Sequence, residues 1–228
     1  MKHIFLGLLF SLIVVKGVLG QEFKQQSSYI IGYNLGNSLS ESGIEVELKS
    51  LIKGVNQGLS GKDSRYSDDK TKQIMVSLND KAKKNIQSKQ KKMSIQNTNE
   101  ASDFLAKNKS KAGVKETASG LQYEIMKDAS GKKPSSKDQV KVHYVGTLID
   151  GSEFDSSVKR GTPAEFGLDQ VISGWTEGVQ LMSIGAKYRF FVPPALGYGN
   201  SAPPGSIIGP GALLIFEVEL LGINGKDS

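Results

Sequence analysis

VKVHYVGTLIDGSEFDSS, residues 140–157, decides the fold. Val140, Val142 and Tyr144 alternate with Lys141 and His143, the two-residue period of a strand with one buried face. Asp150-Gly151 then marks a tight turn, and Phe154 and Asp155 follow it. The same period recurs on both sides. Leu121, Tyr123 and Ile125 alternate, as do Tyr188, Phe190 and Val192, and Leu214, Phe216, Val218 and Leu220. Turn signals separate these runs at Ser130-Gly131, residues 197–199, Pro203-Pro204-Gly205 and Gly209-Pro210-Gly211. Residues 175–183 (WTEGVQLMS) read as a short amphipathic helix with Trp175, Val179 and Met182 on one side. The pattern predicts an α+β domain over residues 113–228: a bent antiparallel sheet wrapped on one short helix.

The chemistry within this domain is sparse. HYVGTLIDGSEFDSS (143–157), VISGW (171–175), ALGYG (195–199) and LIFEVELL (214–221) collect Tyr144, Phe154, Asp155, Trp175, Tyr198 and Phe216. No nucleophile, general base or metal-ligand cluster accompanies them. The chain has no cysteine, and His143, outward by pattern, has only His3 as a second histidine. The Gly-rich loop 197–211 (GYGNSAPPGSIIGPG) lacks the Lys-Ser/Thr of a phosphate-binding loop, and no GxSxG elbow occurs. The loop reads instead as a flap carrying Tyr198, Ile207 and Ile208. Such a set binds an apolar group. Any chemistry there must need neither proton transfer nor a covalent intermediate, and no cofactor or metal is expected.

The first half of the chain differs in composition. Of 228 residues, all seven prolines lie at or after Pro134. Met1-Lys2-His3, an apolar run over residues 4–15 and Val18-Leu19-Gly20 read as a secretory signal peptide, residues 1–20. The run is short for an uncleaved membrane anchor, so no stable membrane insertion is expected after cleavage. Localisation is expected to be periplasmic or secreted, with outer-membrane association as a variant. The net charge of +6 is unevenly placed: residues 62–112 hold thirteen Lys or Arg against six Asp or Glu. Tyr66 is the only aromatic there before Phe104, so stacking platforms for single-stranded nucleic acid are missing. The segment reads as a solvated helix face, and no nucleic-acid partner is expected.

No Gly or Pro occurs in residues 62–112, which predicts one long helix. Ser67-Asp68-Asp69 forms its N-terminal cap, and Ile74, Leu78, Ala82 and Ile86 form its apolar stripe. The stripe nearly vanishes over residues 87–100, where a partly disordered basic linker is the alternative. Residues 28–59 read as two or three short helices with two apolar faces. About forty residues are too few for a lone core, so self-association through this segment is expected. The expected organisation is a leader over 1–20, a helical dimerisation segment over 21–66, a connecting helix over 67–112 and the α+β domain.

From Leu121 onward the chain strongly resembles the FK506-binding-protein (FKBP) family of peptidyl-prolyl cis-trans isomerases. The matching stretches are VHYVGTLIDGSEFDSS, RGTPAEFGL and QVISGWTEGVQLMSIGAKYRFFVPPALGYGNSAPPGSIIGPGALLIFEVELL. SYIIGYNLGNSL, GIEVELKSLIKGVNQGLSGK and ASDFLAKNKSKAGVKETASGLQYEI resemble one subgroup, the secreted macrophage-infectivity-potentiator-like and FkpA-like isomerases. The resemblance implies Xaa-Pro isomerisation, proline-containing peptides and unfolded proteins as partners, chaperone activity, inhibition by FK506- or rapamycin-type macrolides, and a homodimer. It implies Asp155, Tyr198, Ile172 and Trp175 as catalytic residues. Tyr144, Phe154, Phe166, Val171, Ile208 and Phe216 are implied as substrate-binding. Asp155 is read in a mixed role, biasing the twisted carbonyl electrostatically and holding Tyr144 in place, with a purely structural role as the alternative. Two departures concern the flap: Pro203 falls where the family often has histidine, and one extra residue leaves Ile207 and Ile208 both open as the flap isoleucine. A chaperone or binding module, with the proline pocket as a recognition contact, is the alternative reading.

Overall fold

The computed structural model describes residues 4–201, 203 and 205–227, with side-chain environments from Gly20 to Gly225. The expected leader, residues 1–20, therefore lies almost wholly outside what is described of side chains. The chain forms two compact units, Met1–Ser88 and Lys89–Ser228.

The first unit is helical. α1 runs Ile4–Glu41, α2 runs Leu48–Leu59, and α3, Asp68–Asn108, begins here. Two helices thus cover residues 28–59, within the two or three expected there, but the first is long, not short. No proline interrupts it, and Gly32 and Gly36 cost helix stability without breaking it. Glu47 caps α2, accepting from the Lys49 and Ser50 backbone N–H groups at 3.0 and 2.7 Å. Ser67 caps α3 through the Lys70 N–H, with Asp68 and Asp69 in the first turn, where the helix dipole favours acids. Asn85 of α3 donates to the Gly43 carbonyl at 2.8 Å and so fixes the α1–α2 turn. Among the described residues, no apolar side chain in this unit is buried. Tyr29, Ile31, Leu48, Ile52 and Leu59 are all exposed. No helix among the described residues is long and apolar enough to cross a membrane.

The second unit holds the core. Among its described residues there are eight strands: β1 (Val114–Glu116), β2 (Gln122–Lys127), β3 (Gln139–Thr147), β4 (Glu153–Ser156), β5 (Ala164–Gly167), β6 (Lys187–Val192), β7 (Leu214–Ile223) and β8 (Lys226–Asp227). Every pairing is antiparallel, in the order β1-β2-β6-β7-β3-β4, with β5 on β3 and β8 on β7. The alternating sets Val140-Val142-Tyr144, Tyr188-Phe190-Val192 and Leu214-Phe216-Val218-Leu220 all point into one core. Helix α4, Ser173–Val179, lies against that core. It starts and ends earlier than the sequence suggests. Leu181 and Met182 continue in tighter turns, donating to the Gly178 and Val179 carbonyls, and Met182 remains buried. Gly178 permits the close approach of helix to sheet: a Cβ there would stand 2.7 Å from the Phe190 ring.

The last turns of α3 belong to this unit. Ala101 is 1% exposed, Phe104 meets Phe191 at 5.8 Å between ring centroids, and Asn108 is buried. The buried Gln122 side chain donates to the Leu105 carbonyl and to Glu116 and accepts from Asn108, all within 3.0 Å. The docking face mixes the apolar Ala101 and Phe104 with polar side chains, so no continuous apolar stripe marks it.

Candidate active site

β3, β4, β5, β7, the loop ahead of α4, α4 itself and the flap converge on one cavity of about 410 Å³. All ten site residues expected from the sequence line it: Tyr144, Phe154, Asp155, Phe166, Val171, Ile172, Trp175, Tyr198, Ile208 and Phe216. Gln170, Pro203 and Ser206 complete the lining. His143 lies elsewhere, its Nδ1 3.0 Å from the Ser157 hydroxyl.

Trp175 is the floor, only 4% exposed. Three rings meet it edge to face: Tyr144 at 5.2 Å, Phe216 at 5.3 Å and Phe166 at 5.6 Å between centroids. Phe154 meets Phe216 in the same way at 5.4 Å. Edge-to-face contacts of this kind add about 0.5–1.5 kcal/mol each beyond burial, so the rings of the wall stabilise one another's placement. Its position follows from strand register. Gly146 stands opposite both Asp155 on β4 and Phe216 on β7. A Cβ at Gly146 would lie 2.5 Å from the Phe154 ring, so glycine makes the space that ring occupies.

Trp175 is set by the start of α4. Ile172 is the N-cap, with extended φ −60° and ψ 148°, and its carbonyl accepts from the Trp175 and Thr176 N–H groups. The Thr176 hydroxyl donates to the Leu168 carbonyl at 2.6 Å and ties the helix to the preceding loop. The Ile172 backbone N–H and the Tyr198 hydroxyl have no hydrogen-bond partner among the described residues, and neither has the buried Trp175 indole N–H.

The one carboxylate is held by two partners. The Tyr144 hydroxyl donates to Asp155 Oδ2, and Arg160 pairs with Asp155 Oδ1. Arg160 also donates to the Tyr144 hydroxyl at 3.0 Å. Partial burial pushes the Asp155 pKa up, but the hydrogen bonds from Tyr144 and Arg160 and the guanidinium charge outweigh it, and the net pKa lies below the ordinary value. Burial, aided by the bond to Asp155, pushes the Tyr144 pKa up. Asp155 is therefore ionised and Tyr144 protonated at neutral pH. Arg160 is the residue that sequence reading misses. It lies five positions after Asp155 in a loop, where no period marks its direction; an unassigned arginine near a pocket carboxylate is the available signal.

The extra flap residue is resolved by burial. Ile208 is 5% exposed and lines the cavity, whereas Ile207 is 58% exposed and does not. The arrangement offers an apolar, aromatic cavity with unpartnered donors, an ion-paired carboxylate and no proton-transfer pair among the described residues. Among the described residues no three His, Asp or Glu side chains are grouped to hold a metal ion.

Comparison with known proteins agrees with this architecture. Residues 130–221 match the family described as FKBP-type peptidyl-prolyl cis-trans isomerase. Residues 24–125 match the domain amino terminal to FKBP-type peptidyl-prolyl isomerase. FkpA of Aeromonas hydrophila, an FKBP-type peptidyl-prolyl cis-trans isomerase, is 44% identical over 210 residues, covering 89% of this chain and 77% of that protein. The outer membrane protein MIP of Legionella longbeachae is 39% identical over 204 residues, covering 88% and 85%. The crystal structure of FkpA from Escherichia coli superposes with a TM-score of 0.71 at 38% identity, covering 88% of this chain and 96% of that one. An FKBP-type sheet and helix, a matching amino-terminal domain and these relatives together show that the chain belongs to the FKBP-type peptidyl-prolyl cis-trans isomerases, of the FkpA and Mip type.

Proposed function

We propose that the 410 Å³ cavity is the catalytic site and works by binding the twisted Xaa-Pro amide better than the planar one. The rotation barrier of about 18–20 kcal/mol comes from amide resonance. Twisting removes that resonance and reduces the polarity of the C–N–O unit, so an apolar enclosure favours the twisted form over water. Only such differential binding accelerates the step, and no proton need move. The proline ring rests on Trp175 within the walls of Tyr144, Phe154, Phe166, Val171, Ile172, Ile208 and Phe216. The Ile172 N–H and the Tyr198 hydroxyl hold substrate carbonyls. Asp155 acts in two ways: it fixes the Tyr144 ring through the hydroxyl, and its charge, shared with Arg160, orients the field at the twisted carbonyl.

The observation that carries this reading is the convergence of ten residues from separate elements on one cavity, with the Ile172 N–H and the Tyr198 hydroxyl unpartnered among the described residues. The test is turnover of a proline-containing tetrapeptide by Asp155→Ala and Tyr198→Phe. Each is expected to lose severalfold; if neither changes by more than about twofold, roughly 0.4 kcal/mol, the assigned roles are wrong.

The helical unit supports a homodimer. Ten large apolar side chains between residues 29 and 59 are exposed. At about 1.5–3 kcal/mol for each side chain fully buried, covering them outweighs the roughly 4–15 kcal/mol cost of association. A dimer carries two proline sites, and two-point attachment to an unfolded chain raises avidity without new contacts. That favours a second activity, chaperone-like holding of clients, beside isomerisation. The expected leader and the relative named as an outer membrane protein support action outside the cytoplasm, in the periplasm or at the cell surface. The same cavity is the proposed site for FK506-type macrolides.

A further inference from the structure

We infer that the carboxy-terminal turns of α3 are a positioning element for the catalytic flap, acting through Ser94 and Asn97. The flap leaves the core beside Gly199 and returns at Gly211, and its neck is closed by the Gly211 N–H donating to the Gly199 carbonyl at 2.7 Å. Both sides of that neck are tied to one face of α3. On the outgoing side, the Ser94 hydroxyl donates to Asn200 Oδ1 at 2.6 Å. On the returning side, Asn97 Nδ2 donates to the Pro210 carbonyl at 2.9 Å. Ser94 and Asn97 are three residues apart, so they share one helix face.

The flap glycines fit this contact. A Cβ at Gly211 would stand 2.7 Å from the Ser94 carbonyl oxygen, and one at Gly209 would stand 2.9 Å from Asn97 Nδ2. Gly211 also has φ +74°, a conformation open to glycine and strained for other residues. At Gly211 the flap backbone thus lies against the helix backbone, and at Gly209 it lies against the Asn97 and Met93 side chains.

The two ties bracket the segment that carries Tyr198 and Ile208 to the cavity. Tyr198 stands two residues before Asn200, and Ile208 two residues before Pro210. Neither Ser94 nor Asn97 lines the cavity, so their effect on the reaction passes through the flap. Without the ties, the flap's two site residues sample more positions, and substrate binding weakens before the rotation step itself is altered. The part of α3 that belongs to the second unit, from Lys89 on, thus sets the geometry of the site.

This inference rests on the cavity being the proline site, and the test separates the two. Ser94→Ala, Asn97→Asp and the double variant are made in the full chain. Asn97→Asp keeps the side-chain shape, removes the donor to Pro210 and sets a carboxylate oxygen against that carbonyl, so the tie is broken; Ser94→Thr keeps the hydroxyl and serves as the rescue. Two readouts are taken: amide hydrogen exchange of the flap, which needs no assumption about the site, and KM and kcat on a proline-containing tetrapeptide. The expected result is faster flap exchange and about a three- to tenfold rise in KM for the double variant, with kcat within about twofold and Ser94→Thr close to wild type. Unchanged flap exchange overturns the inference. Faster exchange with unchanged KM and kcat also overturns it, because the flap would then be tied without consequence for the site. If Asp155→Ala and Tyr198→Phe both retain full turnover in the same assay, the reading of the cavity fails instead.

Discussion

The Tyr144 hydroxyl donates to the Asp155 carboxylate across the β3–β4 pair, and this one bond joins the aromatic wall to the only charge in the cavity. Arg160 closes the group by contacting both. The cavity thereby keeps an ionised group at its edge without a mobile proton. Asp155 has no basic partner able to exchange a proton near neutrality, since the arginine stays charged.

A flat pH profile follows. The Asp155 pKa is lowered, so its ion pair is complete above the ordinary carboxylate value of about 4 and is lost only as pH falls through the lowered value. The Tyr144 pKa is raised, so its hydroxyl stays protonated up to and beyond about pH 10 and the bond fails only above that. Between about pH 5 and 9, kcat/KM on a tetrapeptide is expected to vary little. A bell-shaped curve centred near neutrality means that a titrating base takes part.

Ile207 and Ile208 differ in burial, and their variants should differ in effect. Ile208→Ala removes a buried wall of the cavity and is expected to lower kcat/KM by about tenfold, roughly 1.4 kcal/mol. Ile207→Ala, at an exposed position outside the cavity, is expected to stay within about twofold of wild type on a short peptide. Equal losses mean that the flap isoleucines exchange places in solution.

Gly146→Ala tests the register argument. The added methyl meets the Phe154 ring, and overpacking of this kind typically costs about 1–3 kcal/mol. Thermal melting should fall, and turnover should fall more than stability alone explains, because the displaced ring is a wall of the cavity. A variant with wild-type melting and turnover shows that Phe154 has room to move.

The exposed apolar faces of α1 and α2 predict a dimer by mass in solution. Ile52→Glu together with Val55→Glu places charge on the α2 face. The expected product is a monomer that keeps tetrapeptide turnover within about twofold and loses protection of an aggregating client. A dimer that survives both charges locates the contact on another surface.

Much of the fold is legible in the sequence because the sheet buries one face. Val140, Val142 and Tyr144 alternate with Lys141 and His143, and the structure pairs β3 with β7 on that pattern. The ten cavity residues are legible through family resemblance, which carries positions that periodicity cannot relate. Three features are not legible. The docking face of α3 combines Ser94, Asn97 and Asn108, whose partners are hydrogen bonds, with the apolar Ala101 and Phe104, so a search for a continuous apolar stripe finds only part of it. Arg160 sits in a loop, where side-chain direction depends on tertiary contacts. The choice between Ile207 and Ile208 depends on how an extra flap residue is absorbed, and neighbouring apolar residues give no period to decide it.

The most direct measurement uses Trp175, the only tryptophan in the chain. Isomerisation of a proline-containing tetrapeptide is followed as an FK506-type macrolide is added to the full chain, with Trp175 emission recorded in the same titration. If the cavity is the catalytic site, turnover falls and emission changes together, with one midpoint and one macrolide per chain. Full turnover at saturating emission change, or lost turnover with unchanged Trp175 emission, contradicts prolyl catalysis at this cavity.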